Sequence, residues 1–354
     1  MKEEVCDGAP AFGRLGGVFL LHTSYFFWKE ALVKAAHVVA HRQIEMFEAD
    51  EPNIEDFPRG SIKVKAHMTA ICGSDSPKFV LKQPAAVYPM NIGTSIHECI
   101  GTVVASSSDR FQPGDFVQAR PTAGIGGLAE YYISSERVGV HLADYKPLDE
   151  LLMSQPLGTV IWACRKLGNI LNQDAVVVGQ GPMGLLMTHL LSNLGAKTVV
   201  AVDTVDFRLE AAKKMRATHV VNPDREDVVA VVRNITDGRM ADLTVEIVGH
   251  NQDTVNLCLN LTKRLGTVLA FGVPDDDVYA FNYRAFFSKN VTLVGSVGPD
   301  SLNDYPLAMD MIAQGRIDVS PIITHHLPFT EVQKGFELFI DHRDEAIKVV
   351  LDYE

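Results

Sequence analysis

The stretch AVVVGQGPMG, residues 175–184, constrains the fold more than any other. An apolar run rich in β-branched residues ends in Gly179, and Gly181 and Gly184 follow at G-x-G-x-x-G spacing before a Leu- and Met-rich helical run. The same rhythm then repeats. Strand-like runs lie at 198–203 (TVVAVD), 219–222 (HVVN), 243–249 (LTVEIVG) and 267–272 (TVLAFG), separated by helical stretches at 184–195, 206–216, 225–235 and 252–262. Near-continuous Val/Ile/Leu strands divided by helices predict a parallel sheet covered on both faces, an α/β fold.

Each glycine has a physical task. The first permits a tight turn, the second lets a pyrophosphate approach the backbone, and the third lets the helix pack on the strand while its N-terminus faces the phosphates. Gly179, Gly181, Pro182, Met183 and Gly184 are therefore the expected phosphate-side residues, with Pro182 at a first helical position where no N–H is missed. Asp203 ends the next strand 19 residues after Gly184, where a carboxylate holds a ribose 2′-hydroxyl. No basic residue directly follows it to receive a 2′-phosphate, so NAD is favoured over NADP; Arg208 is the group that argues the other way. The plainer alternative is a glycine turn in an α/β domain that binds no nucleotide.

From 61 to 140 the character is β, with short runs punctuated by Gly, Pro and Asp, as in QPGD and PTAGIGG. Here TAICGSDSPKF places Cys72, Ser74 and Asp75 together, and NIGTSIHECIGTVV puts His97 and Glu98 at the start of a β run, 25 residues after Cys72. Cys, His and carboxylate are ligand types that zinc takes, and catalytic zinc uses three of them plus a water. On those residues alone, a core thiol and a polar rim remain open. The dinucleotide pattern favours the metal, because an enzyme moving hydride from an alcohol needs an electrophile at the oxygen.

CGSD, the His–Glu pair, QPLGTVIWACRKLG and VVVGQGPMG with its downstream Asp occur in the order found in the zinc-containing medium-chain alcohol and polyol dehydrogenases. The chain resembles that family from about residue 33 onward, most of all its sorbitol/glucose dehydrogenase branch. The resemblance implies a GroES-like, β-rich catalytic domain from 31–155 and 291–354, and a Rossmann domain, a doubly wound parallel sheet, at 156–290. It implies one catalytic zinc on Cys72 and His97, with Glu98 as a third or exchanging ligand. Ser74 would be the first proton acceptor, and Asp75 would orient the ligand histidine.

Several positions depart from the family pattern. Gln155 stands where Glu or Cys is usual, so it binds zinc directly, through water, or not at all. SPKF replaces the relay histidine, Ile96 replaces a glycine, and the four-cysteine lobe is missing, so no structural zinc is expected. The segment 295–305 lacks the Arg–Tyr pair frequent in polyol enzymes. The expected substrate pocket combines this segment with the Cys72 region and the AGIGG loop. Cys99, Cys164 and Cys258 read as core residues, His325 and His326 as solvated or turn residues, and PDDD (274–277) as a turn.

A net charge of −12 and a pI near 5.5 argue against a nucleic-acid surface. Five scattered cysteines without a C-x-x-C pair suit a reducing, cytoplasmic setting. Residues 1–30 read as an N-terminal extension. GVFLLHTSYFFW (17–28) is apolar but follows MKEE rather than a basic segment, and is too short to span a bilayer. It is a surface or subunit-contact segment, the product of a translation start placed too far upstream, or a signal peptide. The leading function is a zinc- and NAD-dependent dehydrogenase acting on a small alcohol or ketone, as a homodimer or homotetramer without membrane contact. The competing readings are a zinc-free quinone or enone reductase and a non-enzymatic dinucleotide-binding module.

Overall fold

The computed structural model describes residues 32–94, 96–122, 126–145 and 147–353. The extension 1–30, Cys6 and part of the AGIGG loop therefore lie outside the described residues.

The described residues open with an antiparallel hairpin, β1 (Leu32–Ala40) and β2 (Gln43–Asp50). Next come β3 (Ser61–Ala70), the short helix α1 (Ser76–Val80), β4 (Glu98–Ser106), β5 (Phe116–Gln118), β6 (Tyr131–Ser135) and β7 (Val140–His141). Helices α2 (Leu148–Leu152) and α3 (Ser154–Arg165) lead into the parallel sheet. It comprises β8 (Asp174–Val178), β9 (Thr198–Val202), β10 (His219–Val221), β11 (Ala241–Glu246), β12 (Thr262–Ala270) and β13 (Thr292–Gly295). Its helices are α4 (Pro182–Asn193), α5 (Asp206–Lys214), α6 (Val228–Ile235), α7 (Gln252–Leu261) and α8 (Tyr283–Lys289). The chain closes with α9 (Ser301–Ala313), β14 (Ile323–Pro328), α10 (Val332–Asp341) and β15 (Lys348–Asp352).

The six-stranded sheet has the order β10-β9-β8-β11-β12-β13, all parallel. Every residue of β8 and β9 is buried. Ala175 and Val177 face one core while Val176 and Val178 face the other, which is why these strands read as unbroken apolar runs. The order reverses between β8 and β11, and ligands of such sheets sit at that switch point, beyond the strand ends.

The other large sheet joins both ends of the described chain. Its order is β14-β15-β3-β4-β5-β7, with β6 also paired to β3, and β15 runs antiparallel to β3 through Val350–Ala70. Helices α3 and α9 cross so closely that a Cβ on Gly158 would lie 2.5 Å from a ring carbon of Tyr305.

One expectation needs correcting. Residues 291–297 were grouped with the catalytic segment, but Thr292–Gly295 pairs with Thr267–Ala270 as the edge of the parallel sheet. A four-residue apolar run carries no signal for which sheet it joins; the hydrogen-bond register decides. His325 and His326, expected as solvated or turn residues, lie in β14; His326 is exposed, and its ring lies between Asp149 and Asp352 at 3.2 and 3.0 Å.

Candidate active site

Strands β3 and β4 pair with Ala70 opposite Glu98, so the turn after β3 and the approach to β4 meet at one end of the sheet. That register brings Cys72 and the His97–Glu98 pair together. Their ligand atoms all lie within 4.8 Å of one another, forming a three-residue group able to hold a metal ion. Cys72 caps a single helical turn, Gly73–Asp75, and its N–H donates to Asp75 Oδ2 at 2.8 Å. Asp75 is buried, and its Oδ1 lies 3.3 Å from His97 Nδ1, leaving Nε2 as the other ring nitrogen. A buried carboxylate behind a histidine fixes the ring's tautomer and raises its basicity. Burial alone would lower the His97 pKa, but hydrogen bonds and charge from Asp75 and Cys72 outweigh it and raise it to about 12.

Glu98 is fully buried and meets an equally buried partner, Lys348 of β15, whose Nζ is 2.7 Å from the carboxylate and also donates to the Ile71 carbonyl at 3.2 Å. Both Glu98 oxygens lie 2.7 Å from Lys348 Nζ, Oε1 as hydrogen-bond acceptor and Oε2 as ion-pair contact. Burial pulls the Lys348 pKa down, but the charges of Glu98 and Cys72 carry it up. Lys348 was missed in the sequence, although a lone lysine inside the apolar run AIKVVL was the available signal.

Gln155, in the first turn of α3, is buried and donates Nε2–H to the Tyr305 hydroxyl at 3.2 Å. Burial pushes the Tyr305 phenol up, while Ser301, Gln155 and the charges of Arg120 and His97 pull it down. Tyr305 thus belongs to the neighbourhood of the metal-ligating group, reached from α9. Ser74 lies exposed on the same turn as Cys72.

The glycine loop shows the expected division of labour. Gly179 has φ +104°, and a Cβ on Gly184 would meet the Gly179 carbonyl oxygen at 1.9 Å. A Cβ on Gly181 would meet only open space, with Arg208 Nη1 4.0 Å away. That space is what a phosphate approaching the backbone requires. Helix α4 starts at Pro182 without a side-chain cap, so its N-terminal dipole is available to an anion. Asp203 accepts from the amides of Gln180 (2.6 Å) and Val205 (2.9 Å), which hold it at the end of β9. Arg208 is lowered in pKa by burial, and its Nε has no partner among the described residues.

One cleft of about 630 Å³ runs from the glycine loop to Cys72. Cys72 and Gly73 line it together with Gly181, Met183, Asp203 and Arg208. The donor set suits a metal and the open glycine turn suits a dinucleotide, so the residues present fit both groups. Cys99, Cys164 and Cys258 are buried with their thiols pushed up in pKa by burial, as core residues should be. Among the described residues no helix is long and apolar enough to cross a membrane.

Comparisons with known proteins agree with this geometry. Residues 58–144 match the alcohol dehydrogenase GroES-like domain family and residues 182–314 the zinc-binding dehydrogenase family. The chain is 30% identical over 318 residues to L-threonine 3-dehydrogenase of Caldanaerobacter subterraneus subsp. tengcongensis, covering 82% of this chain and 90% of that protein. It is 25% identical to sorbitol dehydrogenase of Bacillus subtilis, covering 90% and 97% of the two chains. The solved alcohol dehydrogenase of Thermus sp. ATN1 superposes with a TM-score of 0.80 at 25% identity, covering 91% of this chain and 100% of that one. Sheet order, donor set and these similarities converge: the chain belongs to the zinc-containing medium-chain alcohol dehydrogenases, enzymes that move hydride between an alcohol and NAD(P).

Proposed function

We propose that this enzyme oxidises a secondary alcohol of a polyol or sugar-like molecule, or reduces the matching ketone, with one zinc and with NAD preferred to NADP. The observation that carries the reading is the single cleft lined both by Cys72 and by Gly181 and Asp203. Zinc would polarise the alcohol oxygen as a Lewis acid, and the nicotinamide would take the hydride.

The protein's own residues perform the rest. Cys72 and His97 supply thiolate and imidazole, Asp75 holds the imidazole in place, and Glu98 stands by, restrained by Lys348. Gln155 contributes a neutral amide whose orientation Tyr305 holds. Ser74, exposed beside Cys72, accepts the alcohol proton and passes it outward, since SPKF provides no relay histidine. Gly181 leaves room for the pyrophosphate, and Asp203 accepts a ribose hydroxyl. Asp203 at the strand end supports NAD, because a carboxylate there repels a 2′-phosphate. The domain division proposed is a catalytic part from both chain ends and a cofactor part extended to include β13. Related proteins are named for L-threonine and for sorbitol, a breadth that supports an alcohol without choosing one. Exposed Leu293 on edge strand β13, with exposed Phe287 and Val297 nearby in sequence, supports a homodimer or homotetramer. The unpaired cysteines support a cytoplasmic setting.

Metal analysis of protein purified without chelators, paired with NAD⁺ reduction in the presence of secondary alcohols, tests this reading. About one zinc per chain, with metal and activity both lost in Cys72→Ser, is the expected result. Zinc-free protein that still reduces enones would refute it.

A further inference from the structure

Arg120 takes no part in the chemistry above, yet the backbone places it beside that chemistry. The Ala119 amide bonds to the Cys99 carbonyl at 3.1 Å, continuing the register in which Ile100 faces Gln118. Arg120 therefore stands directly opposite Glu98. Opposite residues of antiparallel strands share a face, as do alternate ones. Cys99 and Ala119 belong to one core and Ile100 to the other, which fixes the sides. Glu98, Ile100, Gln118 and Arg120 thus leave the sheet together, on the face covered by α2 and its Leu151 and Leu152.

Two further facts bear on what this face receives. Arg120 is exposed, with no ion pair or side-chain hydrogen bond among the described residues, and its charge reaches the Tyr305 hydroxyl as that of His97 does. Gln118, one position along the same face, is fully buried, and neither of its amide atoms is hydrogen-bonded among the described residues. Among the groups of the candidate metal centre itself, none supplies a counter-charge to Arg120. Lys348 answers Glu98, a divalent ion would answer Cys72 and Asp75, and Gln155 adds none.

We infer that Arg120 binds an anionic group, a carboxylate or a phosphate, carried by the same substrate whose secondary hydroxyl meets the Cys72–His97–Glu98 centre. This rests on the proposed function and names its substrate class: hydroxy acids or polyol phosphates in preference to neutral polyols. A guanidinium presents paired donors to either anion, which a neutral polyol cannot use equally well.

The test uses zinc-loaded enzyme and three matched substrates of one carbon skeleton: the polyol, its aldonate and its phosphate monoester. The kcat/KM of each is measured for wild type, Arg120→Gln and Arg120→Lys. Binding of the two anions to the NADH complex is measured by calorimetry. Wild type should prefer at least one anion over the polyol by roughly tenfold or more, the aldonate and phosphate arms showing which. Arg120→Gln should cut that ratio by about ten- to hundredfold, and Arg120→Lys should retain part of it. Turnover of all three substrates with a ratio unaffected by Arg120→Gln would overturn the inference and leave the dehydrogenase reading standing. Arg120-dependent anion binding to the NADH complex without turnover of any of the three would support the anion site and defeat the proposal that a polyol-like substrate is oxidised.

Discussion

Replacing Lys348 with Met should reveal how much the protein depends on an ion pair it has sealed from water. Lys348 and Glu98 are both wholly buried, and the ammonium serves the carboxylate at 2.7 Å and the Ile71 carbonyl at 3.2 Å. Met fills nearly the same volume, so the loss is electrostatic rather than a cavity. Each acceptor stranded in the interior costs about 1–3 kcal/mol. Breaking one side of a buried pair costs about 3–5 kcal/mol because the remaining charge is uncompensated. We expect a loss near that upper range in urea unfolding of chelator-treated Lys348→Met, and a smaller loss with zinc present, because Glu98 then has a cation to face. The double variant Lys348→Met/Glu98→Gln should recover about 1–3 kcal/mol relative to the sum of the single losses, since the orphaned charge is gone. Additive losses, or a Lys348→Met variant within about 0.5 kcal/mol of wild type, would refute the argument.

Other outcomes follow from the same geometry. Gly181→Val should fold normally but weaken NADH binding at least about tenfold by fluorescence titration, because its side chain enters the space left for phosphate. Gly184→Ala should instead lose about 1–3 kcal/mol of stability, since its Cβ meets the Gly179 carbonyl; the reverse pattern would contradict the assignment of the loop. Asp75→Asn should weaken zinc binding by about 10- to 100-fold in a competition assay with a chromophoric chelator. His189 is lowered in pKa by burial and accepts the Asp318 amide on Nε2 at 3.2 Å. A depressed histidine contributes stability above its unfolded pKa and loses it as pH falls through the folded value. Stability should therefore decline on acidification below about pH 6.5, and less so in His189→Gln; equal declines would argue against the role.

The parallel sheet was legible because each of its core strands is buried on two faces. Burial on both sides removes the alternation that would otherwise blur the pattern, and the helices between announce the crossovers. The glycine loop was legible for a related reason: its residue types are dictated by backbone approach over a few neighbouring positions. Strand β13 was misplaced because its four residues are apolar in a way that either sheet would accept. The pairing of the His326 ring with Asp149 and Asp352 was not legible, because two carboxylates distant in sequence leave no local mark.

The metal-ligating group shows the same division. Cys72, His97 and Glu98 could be nominated from residue types and motif order, since zinc chemistry narrows the donors before any fold is known. Lys348, Tyr305 and Arg120 could not be joined to them. Their roles depend on contacts spanning 250 residues for Lys348 and 150 for the Gln155–Tyr305 pair, and on a strand register for Arg120. The sequence by itself determined the fold class and nominated the dinucleotide loop and the donor set, all of which follow from short-range periodicity and chemistry. Only the tertiary structure decided which buried charge balances Glu98, which hydroxyl orients Gln155, and which guanidinium stands opposite Glu98. Those assignments are made by pairing strands and helices far apart in the chain, and electrostatic partnership depends on distance in space rather than in sequence.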